Sequence, residues 1–70
     1  MLPGDQVILI DAPESLLMGL PEEDQAAILA IVGEPVLLLG FDNDEAELEF
    51  TDAEGDLHWI WVDPELLEDA

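Results

Sequence analysis

Residues 45–51 read Glu-Ala-Glu-Leu-Glu-Phe-Thr, and this stretch decides the fold. Polar and apolar side chains alternate along it, and a period of two residues is typical of a β-strand with one wet face and one dry face. The segments on either side, 42–44 (Asp-Asn-Asp) and 52–55 (Asp-Ala-Glu-Gly), have the composition of turns. The stretch therefore predicts a strand between two turns, with its apolar side chains buried and its glutamates in water.

Three more strands are predicted, at Gln6–Ile10, Val36–Phe41 and Leu57–Val62, because these apolar runs are bounded by Gly, Pro or Asp. In the last of them, Trp59 and Trp61 fall on one face, since side chains two residues apart in a strand point the same way. In a chain of 70 residues we expect such large side chains mainly in the core, with one edge exposed for a partner.

Two helical segments separate the first strand from the second. A short turn is predicted at 13–17, and a longer helix begins at Pro21, where proline is favoured in the first turn, and ends at Gly33. Three acidic residues at 22–24 lie at the positive end of that helix dipole. A last helical turn at 63–65 should dock the two leucines that follow it.

This order of elements predicts one domain spanning residues 1–70, mainly β with one short helix (α+β), the helix being inserted between strands 1 and 2. Five short segments around one core favour a small antiparallel barrel or a strongly bent sheet. The frame Gly4-Asp5-x-Val7, Val32-Gly33, Leu48-Glu49-Phe50-x-Asp52-x-x-Gly55 and Ile60-Trp61-Val62-x-Pro64 resembles small bacterial SH3-like barrel proteins. The resemblance implies an SH3-like barrel with the helix in its long loop. It leaves the function open, because such proteins share a barrel more than an activity.

The charge balance is extreme. The chain has 19 Asp and Glu, no Lys or Arg and one His, for a formal net charge of -19, yet 50% of its residues are hydrophobic. The apolar content predicts a folded chain, and nearly all carboxylates should face water because an unpaired buried carboxylate is costly. Without cations, direct binding to nucleic acid or to an anionic membrane is not expected. No long apolar stretch or basic leader is present, so we expect a cytoplasmic protein.

Catalytic chemistry is poorly supported by the sequence. There is no Cys, and the candidate nucleophiles Ser15 and Thr51 lack a glycine elbow or an accompanying cation. His58 is interpreted as a strand histidine near carboxylates rather than as a metal ligand. The acidic loops at 42–44 and 52–56 do not follow the twelve-residue calcium pattern. We therefore expect no enzyme activity, no metal site and no cofactor.

The acidity itself is the main functional signal. A small domain needs a net charge of about 2–8 for solubility, and -19 goes far beyond that. Carboxylates at alternate strand positions lie ~6.6 Å apart, a spacing on the scale of a charged polymer backbone. In size and composition the chain resembles acidic nucleic-acid-mimic inhibitors of the anti-CRISPR and anti-restriction type. The resemblance implies a phage inhibitor that blocks the DNA- or RNA-binding surface of a basic partner. The expected contact residues are Asp42, Asp44, Glu45, Glu47, Glu49, Asp52, Glu54 and Asp56.

Two other interpretations are open. The chain is alternatively an SH3-like adaptor that binds a basic peptide or protein, or an ordinary small domain from a halophile. The run at 37–39 (three leucines) holds more apolar surface than one face needs. It indicates either a homodimer interface or a strand that is buried on both sides.

Overall fold

The computed structural model describes residues 1–70. Its elements are β1 Gln6–Leu9, α1 Glu14–Leu17, α2 Glu22–Ile31, β2 Pro35–Asp42, β3 Glu45–Thr51, β4 Leu57–Val62, a 3-10 turn Pro64–Leu66 and β5 Leu67–Asp69. The strands form one antiparallel sheet in the order β4-β3-β2-β1-β5. The predicted mainly-β α+β fold, with the helix inserted between strands 1 and 2, is confirmed. The sheet is open, with β4 and β5 at its edges, so of the two expected architectures the chain forms a sheet and not a closed barrel.

The alternation along β3 sorts its side chains as predicted. Ala46, Leu48 and Phe50 are buried on one face of the sheet, whereas Glu45 on the other face is exposed and Glu47 and Glu49 are half-buried. The buried face, named the inner face, is covered by α2. The opposite face is named the outer face.

The core is entirely apolar. Its eleven buried residues are Val7, Leu9, Ala27, Ile28, Val36, Leu38, Ala46, Leu48, Phe50, Val62 and Leu67. No polar or charged side chain is buried. All 19 carboxylates therefore reach water, as expected for charges with almost no internal cation. The leucine run lies on β2, the central strand, where Leu38 is fully buried and its two neighbours are partly buried.

Helix α2 ends where the sequence predicts. Gly33 follows it with φ +86, a left-handed conformation that favours glycine. The Gly33 N–H donates to the Leu9 carbonyl oxygen at 3.0 Å. This bond ties the end of the helix to β1 and holds α2 over the inner face. None of the helices is long and apolar enough to cross a membrane.

The structure departs from the sequence predictions at two places. The helical turn after Asp63 forms at Pro64–Leu66 and Leu67 is buried, as expected, but Leu67–Asp69 also forms an unpredicted fifth strand that pairs with β1, with Leu67 opposite Leu9. The second departure concerns burial. Trp59 and Trp61 were expected mainly in the core, yet they are 55% and 42% exposed. They lie on the outer face because Ile60 and Val62, of opposite parity, are the β4 residues that pack into the core.

Candidate partner-binding face

The outer face of β3 and β4 carries carboxylates and indoles side by side. The antiparallel register places Glu47 opposite Trp61 and Glu49 opposite Trp59. Directly opposed residues of an antiparallel pair have Cβ atoms about 4.5–5.5 Å apart, close enough for their side chains to touch. Each tryptophan therefore has a carboxylate as its immediate cross-strand neighbour.

One of these pairs is held by a hydrogen bond. The Trp59 Nε1–H donates to Glu49 Oε2 at 3.2 Å. A carboxylate can accept several hydrogen bonds through its two oxygens. Glu49 thus keeps acceptor capacity for an incoming cation, and the chain has no Lys or Arg of its own to take that place.

At one end of β3 the chain turns through Asn43 and Asp44, both with positive φ. This conformation suits Asn and Asp in a tight hairpin turn. The turn carboxylates share a shallow depression with acidic residues from the segment that follows β4, a contact that sequence reasoning missed. The carboxylate-bearing residues of this acidic end are Asp42, Asp44, Asp63 and Glu65.

At the other end of β3 the turn is built around Asp52. Its Oδ1 accepts the backbone N–H groups of Glu54 at 2.9 Å and Asp56 at 3.0 Å. Its Oδ2 accepts a hydrogen bond from His58 Nε2 at 2.7 Å. The bond from His58, followed by the backbone N–H of Asp56, lowers the pKa of Asp52 below its ordinary value. The Asp52 carboxylate is therefore occupied within the turn and has little capacity left for a partner.

His58 contacts β3, the β3–β4 turn and helix α2. Its ring stacks on Phe50 with the centroids 5.2 Å apart. Its Nε2 binds Asp52, and its Nδ1 lies 3.7 Å from Asp24 Oδ1 on α2. The side chain is only 16% exposed. Its position links the β3–β4 turn to the first turn of the helix, and no cluster of three or more His, Cys, Asp or Glu side chains is arranged to hold a metal ion.

Next to this contact is a groove between α2 and the β3–β4 turn. Alanines from the helix line it, and its carboxylate-bearing residues are Glu23, Asp24, Asp52, Glu54 and Asp56. The helix residues were interpreted from sequence only as partners of the helix dipole. No local pattern indicates that α2 brings them to the turn, because that contact depends on how the helix packs.

The eight predicted contact residues therefore do not form one compact patch. The turns at 42–44 and 52–56 lie at opposite ends of β3, which spans ~20 Å at the usual rise per residue. The structure brings Glu45, Glu47 and Glu49 together in a row between these two acidic ends. Sequence reasoning missed that two exposed tryptophans accompany this row.

No protein-family model matches the chain, and no curated protein or solved structure is significantly similar to it. The function has to be inferred from the residues of the site themselves.

Proposed function

We propose that this protein is a non-enzymatic inhibitor that mimics nucleic acid and occupies the DNA- or RNA-binding surface of a basic partner, in the manner of anti-CRISPR or anti-restriction proteins. The observation that carries the proposal is the row of glutamates on β3. It continues into acidic turns at both ends, in a chain without Lys or Arg. The proposal includes a cytoplasmic location, where nucleic-acid-binding proteins of a host cell are accessible.

The spacing of the row suits such a partner. Alternate β3 residues lie ~6.6 Å apart along the strand, whereas one DNA strand carries a phosphate per ~3.4 Å of helix axis. The strand thus presents about one charge for every two phosphates, and the acidic turns add to it. Lys and Arg that hold phosphates can pair with carboxylates instead.

The row is also rigid. Its glutamates project from a strand that pairs on both sides, with β2 and with β4. A charged array held in place by a sheet loses less conformational entropy on binding than a disordered acidic tail does. Strong charge also steers the protein into a basic cleft and speeds the encounter.

A second candidate is an adaptor for a basic peptide or protein. The exposure of Trp59 and Trp61 favours it, because Trp is enriched in protein–protein interfaces. The two candidates differ in one measurable respect. An adaptor need not compete with nucleic acid, whereas a mimic must.

The test is a competition experiment. The partner is captured from a lysate of the source cells, purified and titrated with this protein and with a duplex oligonucleotide at several salt concentrations. We expect mutually exclusive binding that weakens steeply as salt rises. A ternary complex of partner, duplex and this protein would refute mimicry.

A variant pair locates the contact surface. E45Q/E47Q/E49Q keeps side-chain size and the strand pattern, and it should weaken partner binding by about 1 kcal/mol or more for each well-desolvated pair. The control E14Q/E22Q/E34Q removes the same number of charges from exposed positions outside β3. Equal affinities of the two variants would show that the β3 row is not the contact surface.

A further inference from the structure

We propose that the outer face of β3 and β4 binds arginine side chains, each guanidinium stacking on Trp59 or Trp61 while it pairs with the glutamate opposite that indole. This inference rests on the proposed function for the existence of a basic partner. It specifies which cation the outer face prefers and which residues recognise that cation.

The two indoles are exposed although the strand that carries them packs well against the core. Ile60 and Val62, which alternate with them on β4, pack into the core. Trp59, Trp61 and Leu57 lie 55%, 42% and 51% exposed on the opposite face. A group of large apolar side chains exposed together on a small domain indicates an interaction surface.

The charge of the outer face rules out other occupants. A second copy of the chain would bring another -19 charges against the same glutamates, and like charges repel across such an interface. A neutral apolar segment would cover the indoles but would strip water from Glu47 and Glu49 without giving them a partner. A cation with a flat, weakly hydrated face satisfies both requirements.

The chemistry of the outer face favours arginine over lysine. Guanidinium is planar, stacks on aromatic faces and offers five N–H donors to carboxylates, whereas the lysine ammonium is a compact, strongly hydrated charge. The pairs Glu47–Trp61 and Glu49–Trp59 are successive on the strands. They lie ~6.6 Å apart along the sheet and so provide two adjacent arginine positions.

The arrangement also extends the mimicry. When a protein binds single-stranded nucleic acid, its Arg side chains stack on the bases and pair with the phosphates. On the outer face, the indole of Trp59 or Trp61 takes the place of the base and the neighbouring carboxylate takes that of the phosphate. A nucleic-acid-binding surface rich in arginine would therefore find both features of its ligand.

The experiment measures the affinity of fluorescently labelled octa-arginine and octa-lysine peptides, which have the same charge, by anisotropy at a fixed salt concentration. Lysine also makes cation–π contacts but stacks on indoles less well than arginine does, so two exposed contacts predict that octa-arginine binds more tightly, by up to about 30-fold. W59L/W61L should lose this preference and keep the affinity for octa-lysine. W59F/W61F, which retains aromatic rings, should restore part of the preference.

Two controls make the result specific. M18Q/L29Q changes exposed apolar residues away from the sheet and should leave the preference intact. Both tryptophans of the chain lie on this face, so a change of intrinsic fluorescence with octa-arginine in the parent protein reports on it directly. Circular dichroism verifies that each variant is folded.

Equal affinity for the two peptides, or a preference that survives W59L/W61L, overturns this inference and leaves competition with nucleic acid intact. If the tryptophan-dependent preference is present but the partner binds duplex and this protein together, the proposed function fails and the arginine site stands.

Discussion

Replacing Leu48 by Ala should remove a large part of the stability of this domain. Leu48 is fully buried at the middle of β3. In the register it lies opposite Leu38 of β2 and Ile60 of β4. Because strands on both sides fix these neighbours, the sheet cannot collapse to fill the space that the substitution leaves.

The expected magnitude follows from that packing. Leu-to-Ala substitutions at buried sites cost about 2–5 kcal/mol, with the higher values where the surroundings cannot relax. A 70-residue domain has a total free energy of unfolding of about 3.5–10 kcal/mol. A loss of about 3 kcal/mol would lower Tm by roughly 12–24 °C and, at the lower end of that stability range, would leave L48A partly unfolded under mild conditions.

The assay is urea denaturation followed by circular dichroism, with L29A as the matched control. Leu29 is 54% exposed on α2, so the same chemical change there should cost no more than about 0.5 kcal/mol. The m-value should be the same in both variants. A destabilisation by L48A below about 1 kcal/mol, or one equal to that of L29A, would refute the assigned core.

Three further outcomes are expected. Folding concentrates 19 carboxylates into a body with a radius of gyration of 11.1 Å, against roughly 26 Å for an unfolded chain. Because salt screens the repulsion between these carboxylates, Tm should rise with added NaCl. A Tm that does not change with salt would contradict this. Because hydrogen bonds hold the pKa of Asp52 low, its carboxylate stabilises the fold above its ordinary pKa, and the contribution disappears as pH falls through the lower folded value. D52N should therefore melt below the parent at pH 7, and the difference should shrink as pH falls below the ordinary pKa of Asp. A difference that stays constant through this range would contradict the assignment. Gly33→Ala should lower the free energy of unfolding by about 1–2 kcal/mol, measured by thermal unfolding. The loss comes from backbone strain at positive φ alone, because open space surrounds the added methyl group. An unchanged Tm would contradict the left-handed conformation at the end of α2.

The parts of the fold that could be predicted from sequence are those with a local signal. In β3, every second residue is polar, so the period gives both the strand and the face that meets the core. In β4, both faces are apolar, and the period shows that Trp59 and Trp61 share a face but not which face α2 covers. The burial of the tryptophans depends on that distant contact, and the prediction was wrong for this reason.

Two other features could not be predicted from the sequence either. The strand Leu67–Asp69 has three residues, too few to show a period, and it forms because β1 offers a free edge. The groove that joins Asp24 to the β3–β4 turn depends on the packing of α2. The row of glutamates on β3 could be predicted from the sequence. Its separation from the turn carboxylates could not, because it depends on the strand length and the register.

The open edge of β4 has a consequence for how the protein behaves at high concentration. Its six residues, Leu57–Val62, expose unpaired backbone groups beside two tryptophans, and an apolar edge of this kind templates aggregation. Mutual repulsion between the negatively charged molecules keeps such edges apart at neutral pH. The acidity therefore prevents aggregation in addition to providing a surface for recognition. As Asp and Glu are protonated in mild acid, at pH of about 4.3 and below, that repulsion is lost, and the chain has almost no cation to replace it. The protein should then associate edge to edge, and turbidity should rise as pH falls through this range.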